Sequence, residues 1–251
     1  MRLIPLLFGV ILSSVHTWGA SAAAASTAAV ALKDYTGVAS GLFNNMRTPA
    51  ALVGGAVVPM GIITAPKIEE TDSPKMRVMK RVSLILAILS LMSEILAITY
   101  STVAINKLAE LQYEPTGCVN ELIESHHKLA WIGTNIHFLF GLFGFGILAI
   151  FKSYFMYGSR VGNVIAYWGS AAMLLCTSIV NQGIAQGGGE QGTKYGSNLL
   201  GLAVNYVGLI LKYARGGVMP AISVGLVLLS IVPLMKLFRA EEEDEEKAKV
   251  N

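Results

Sequence analysis

Three apolar stretches, residues 82–105, 129–151 and 163–185, are each long enough to cross a bilayer, a task that takes about 20 mostly apolar residues. Spans of this length predict an all-α fold: a polytopic transmembrane helix bundle. Composition agrees. Of 251 residues, 53% are hydrophobic and 14% charged, with mean hydropathy +0.57, whereas soluble domains carry roughly 25% charged residues. The charges fall almost entirely between the apolar runs. A net charge of +3 is too small and too scattered to point to nucleic acid. Two cysteines make no disulfide framework, and Cys118 and Cys176 read as free thiols or small core residues.

The first residues read as a signal peptide, 1–22. Arg2 supplies the positive start, Leu3 to Val15 the short apolar region, and Ala20-Ser21-Ala22 an A-x-A cleavage site. The Ala/Ser/Thr-rich stretch that follows resembles a plastid transit peptide. Ala23 stands where a bipartite leader places an aromatic, which argues against that destination. Residues 23–48 then form an extracytosolic tail. Residues 49–65 form a marginal first span, interrupted by Gly54, Gly55 and Pro59, either kinked or re-entrant.

Positive charge marks the cytosolic side of short loops. The 66–81 loop carries Lys67, Lys75, Arg77, Lys80 and Arg81, and 152–162 carries Lys152 and Arg160. The 106–128 loop carries only Lys107 and Lys128, against Glu110, Glu114, Glu121 and Glu124. This places 66–81 and 152–162 in the cytosol and 106–128 outside. Further on, 197–214 reads as an interfacial segment or an extra span, and 218–238 as a span. The count is therefore five, or six as the alternative. The ending Lys247-Ala248-Lys249-Val250-Asn251 resembles a K-x-K-x-x retrieval signal, with two lysines in a solvated tail as the plain reading. The signal works only in the cytosol and favours five spans in an endoplasmic reticulum or other secretory-pathway membrane. The acidic run Glu241 to Glu246 within 240–251 reads as a disordered tail.

Polar residues inside the spans are the candidates for function. Ser83, Ala87, Ser90, Glu94, Ala97 and Ser101 recur every three or four residues, so they share one helix face. Gly133, His137, Gly141 and Gly144 do the same in the next span, and Ala166, Ser170, Met173, Thr177 and Asn181 in the third. Small residues let helices approach closely in lipid, so the expectation is a seam in which the three faces meet. Glu94 and His137 lie within roughly 5 Å of the same depth, which predicts a buried pair. Two readings of it stand: a proton or cation relay, or a packing contact that fixes register.

Other chemistry finds little purchase. Glu121, Glu124, His126 and His127 match no metal-ligand spacing, and Gly187-Gly188-Gly189 reads as a flexible loop. A haem between facing helices needs a histidine that this chain does not offer on a second span. There is no H-E-x-x-H, G-x-S-x-G, phosphate-loop or dinucleotide fingerprint. No cofactor, no metal and no enzymatic activity are expected, and the partners are the bilayer, other membrane proteins or further copies of the chain.

The run Phe43-Asn44-Asn45-Met46-Arg47-Thr48-Pro49-Ala50-Ala51-Leu52 resembles an uncharacterised multi-span membrane protein family of algae such as diatoms. The likeness centres on R-T-P-A-A-L and covers roughly residues 35–185. It implies a multi-span fold and assigns no activity and no functional residue. Thr48 and Pro49 fit the cap and first position of a helix. The functions in view are a non-enzymatic endomembrane structural or assembly component, a small transporter using Glu94 and His137, and a haem electron carrier.

Overall fold

The computed structural model describes residues 32–69, 71–186 and 198–250. The signal peptide, the transit-like stretch up to residue 31 and the glycine loop at 187–189 lie outside them. Six helices follow in order: α1 (Thr36–Val57), prolonged by a π-helical turn Val58–Ile63, α2 (Pro74–Glu110), α3 (Val119–His126), α4 (Lys128–Gln186), α5 (Leu199–Ala214) and α6 (Val218–Val250). The described residues contain no strand, only an isolated bridge between Lys33 and Thr116. α1 with its π turn, α2, α4 and the first 18 residues of α6 are long and apolar enough to cross a membrane. This is an all-α, multi-pass membrane protein.

α4 folds back on itself. Gly158 has φ 75° and ψ −177°, a combination open almost only to glycine. The two arms of α4 therefore run antiparallel. Ile150 covers Gly169, Met173 covers Gly146, and the Tyr154 ring lies on Gly162. Tyr154 also donates a 2.6 Å hydrogen bond to Asn163 Oδ1. At 59 residues, α4 thus supplies two passes.

α2 is the central helix. Ser73 Oγ accepts from Met76 N, and Pro74 occupies the first position, where its missing N–H costs nothing. Its 37 residues extend about 55 Å, well beyond the roughly 30 Å of hydrocarbon. The basic first turns therefore project from the membrane. There Lys80 pairs with Asp72 at 2.6 Å and donates to Lys67 O. Lys152 of α4 donates to Thr64 O and Oγ1 at the end of α1. These contacts gather the lysine-rich segments at one end of the bundle, the basic end. The opposite end carries residues 111–127.

Two boundaries differ from the sequence expectation. α1 begins at Thr36, so Thr48 and Pro49 sit inside it and cap nothing. Its start is held by Asp34, whose Oδ1 accepts from Thr36 N and Oγ1 at 2.9 and 2.7 Å. Residues 36–48 are helical because Ala39 and Phe43 are buried in a cluster with Ala104, Leu108, Leu122 and Ile123. The acidic run Glu241 to Glu246 continues α6 as helix. Glu, Lys and Ala are good helix formers, and extending an existing helix avoids the nucleation cost.

Candidate functional site

The seam runs down α2, but its partners are α1 and the first arm of α4. The second arm packs instead on the back of the first, as the Met173–Gly146 contact shows. Glycine sets the spacing. A β-carbon at Gly144 would stand 1.9 Å from Ser90 Oγ, and one at Gly141 would stand 2.3 Å from Glu94 Oε1. A β-carbon at Gly54 of α1 would lie 3.3 Å from that of Glu94, and one at Gly61 only 2.4 Å from that of Ala87. Gly133 receives the Tyr100 ring. Ala87, Ser90, Glu94 and Tyr100 of α2 therefore each fill a space that a glycine leaves in a neighbour.

Glu94 is fully buried in this notch, at 0% exposure. Neither carboxyl oxygen has a hydrogen-bond partner, and Ser90 Oγ and Thr134 Oγ1 are likewise buried without one. Such groups are uncommon, because an unmade hydrogen bond costs about 1–3 kcal/mol in protein interiors. Ser101 is satisfied locally, donating to Ala97 O at 2.7 Å.

The expected Glu94–His137 pair is not made. His137 turns away from the carboxyl into a separate network. Its Nδ1 lies 2.9 Å from Ser93 Oγ, its Nε2 2.6 Å from the Tyr206 hydroxyl, and Tyr206 lies 3.4 Å from the Tyr100 hydroxyl. Ser93 also donates to His137 O at 3.0 Å. A serine has one proton to give. With that proton on the carbonyl, Nδ1 carries the ring hydrogen and donates to Ser93. Nε2 then accepts from Tyr206, whose oxygen accepts from Tyr100. Tyr100 also stacks on the imidazole, with ring centroids 6.0 Å apart. The network closes among α2, α4 and α5 and engages both imidazole nitrogens.

Ser93, Tyr100 and Tyr206 are the residues that the sequence reading passed over. The first two were within reach, since Ser93 and Tyr100 stand one residue before Glu94 and Ser101 and join Ser90 and Ala97 in the same three-four spacing. Tyr206 had no such signal, because its contact depends on how α5 crosses the bundle.

The remaining predicted seam residues lie apart. Ser170 and Thr177 are buried, and Thr177 donates to Met173 O within its own helix. Asn181 does something different: its Oδ1 accepts from Leu199 N at 2.7 Å. Together with Asn198, which accepts from Gly201 N, it fixes the start of α5.

Comparison with known proteins finds no match: no protein-family model, no curated protein and no solved structure is similar to this chain.

At the end opposite the basic one, Tyr113 joins His126 and His127. Its hydroxyl lies 3.0 Å from His127 Nε2, and its ring lies against both imidazoles. Phe43 meets His127 edge-on. Burial holds His127 below the ordinary histidine range, with His126 and Lys107 acting in the same direction. Among the described residues no group of three or more His, Cys, Asp or Glu side chains is placed to hold a metal ion.

Proposed function

We propose that the protein is a non-enzymatic structural or assembly component of an endomembrane. The closed seam carries this reading. Where α2 meets α1 and α4, glycines bring the backbones into contact with fully buried side chains, and the polar network is used up in bonds between helices. Two cavities, of about 430 and 580 Å³, lie away from the seam, one between the arms of α4 and the other by Lys128. A seam packed in this way holds helices in register. The side chains of Lys247 and Lys249 lie outside the described residues. The likeness of 47–52 to the algal family supports the multi-span architecture and no activity.

A second reading is favoured by one observation, the partnerless Glu94 carboxyl. A carboxyl that no residue neutralises is available to take up and release a proton or to hold a cation. Reconstitution separates the readings. Purified protein in liposomes with an entrapped pH-sensitive dye is expected to give no flux above empty liposomes. Flux that disappears in Glu94→Gln would replace the assembly reading with the transport one.

A further inference from the structure

The geometry points to a phosphate-binding site for an anionic membrane lipid at the end opposite the basic one, where α5 turns into α6. A cavity of about 580 Å³ opens there between the start of α4 and the end of α5, within the size range of small-molecule sites. Its polar rim is cationic. Lys128 and Lys212 line it, with His126 beside them, and no acidic side chain is among its described lining residues. Neither lysine has an ion-pair partner among the described residues, where the salt bridge is that of Lys80 with Asp72. Two lysines from different helices thus line one space with no acidic side chain among its described lining residues.

The remaining walls say which anion. Leu129, Leu209 and Pro220 belong to apolar helices, so the cavity continues from the charged rim toward hydrocarbon. Gly216 and Gly217 leave the turn above without side chains. Lysines at helix ends sit at the headgroup level of a bilayer, where each contributes about 1 kcal/mol toward an anionic lipid. A free phosphate would use only the rim. An amphiphile with a phosphate head and acyl chains would use the rim and the walls together, and it is the source to which the shape commits.

The test uses full-length purified protein in detergent, with binding read from the shift in thermal unfolding on titration. The probes are short-chain phosphatidic acid, phosphatidylcholine with the same chains, and inorganic phosphate. Phosphatidic acid is expected to bind saturably. Binding should weaken roughly thirty-fold in the Lys128→Gln/Lys212→Gln double variant, persist in the Lys128→Arg/Lys212→Arg pair, and be unchanged in Lys107→Gln, outside the cavity. If the double variant does not fold, Lys212→Gln alone, an exposed position, should show a partial loss. Undiminished binding in the lysine variants would overturn the site. Equal binding of phosphatidylcholine would overturn its preference for anionic lipid, and inorganic phosphate matching phosphatidic acid would overturn its assignment to a lipid.

Discussion

Glu94 and Gly141 are best understood as one unit. The glycine exists so that the carboxyl can lie against the helix backbone, and the two should therefore be energetically coupled. Gly141→Ala is expected to cost about 1–3 kcal/mol, the usual range for overpacking a filled interior. Gly208→Ala, with nothing within 4 Å of the new carbon, should be neutral or gain up to about 1 kcal/mol of helix propensity. Removing the obstacle in Glu94→Ala should shrink the cost of Gly141→Ala. A double-mutant cycle of thermal unfolding in detergent measures the coupling, and strict additivity would show that the contact is not made. His127 makes a second prediction at this scale. Its folded-state value lies below the ordinary 6.5, so the unfolded chain takes up the proton first as pH falls. Stability is full above about 6.5 and declines as pH drops from there toward the lowered value. His127→Gln should flatten that decline, read as the unfolding midpoint across the range from about pH 7 to pH 5. Of this residue chemistry, the sequence showed that Glu94 and His137 stand on small-residue faces inside spans; Glu94 is buried and His137 half-buried. It did not show that they part company. Spacing reports which residues share a face, whereas a hydrogen bond depends on rotamer and on the neighbour across the gap.

At the scale of helices, the apolar runs were legible because lipid demands about 20 residues without charge. All three long runs lie within α2 and the two arms of α4. α1 was half hidden. Its first thirteen residues include Asn44, Asn45, Arg47 and Thr48, polar enough to read as tail, yet Ala39 and Phe43 repeat at helical spacing and bury the face that counts. The choice of α1 as the third partner of the seam was hidden for the same reason: Gly54 looked like a break in a weak span, but it and Gly61 are contact points. Among the described residues, glycine takes a positive φ at Gly158 alone, and there it reverses the chain. There, Gly158→Ala should cost of order 1–3 kcal/mol through backbone strain. The arms' approach can be read directly from the yield of a disulfide between Gly146→Cys and Met173→Cys. That yield should fall when Gly158→Ala is added, and an unchanged yield would mean that the reversal does not depend on the glycine's conformation.

For the whole molecule, the question left open by charge alone is whether α5 crosses the membrane. Its 16 residues extend about 24 Å, less than the hydrocarbon thickness of about 30 Å. Its contacts show an oblique path: Leu199 meets Asn181 of the second arm, Tyr206 meets His137 of the first, and Lys212 shares a cavity with Lys128 at the end opposite the basic one. α5 thus returns to the end that α4 has just reached, and α6 starts from there. Counting α1, α2, two arms of α4 and α6 gives five passes and puts the C-terminus with the basic end. We propose from the charge rule that this end is the cytosolic one. Five passes leave Lys212 and Arg215 at the end opposite the basic one, against the charge rule, and the anionic lipid proposed for the cavity that Lys212 lines would offset much of that conflict. In sealed microsomes, a C-terminal tag and a cysteine introduced as Ser73→Cys should both be reached from the cytosolic face. Cys118, exposed at the other end, should react with an impermeant maleimide only after the membrane is opened, in a Cys176→Ala background. A C-terminal tag protected together with Cys118 would establish a sixth crossing, and with it α5 would have to leave the His137 network that now holds it at an angle.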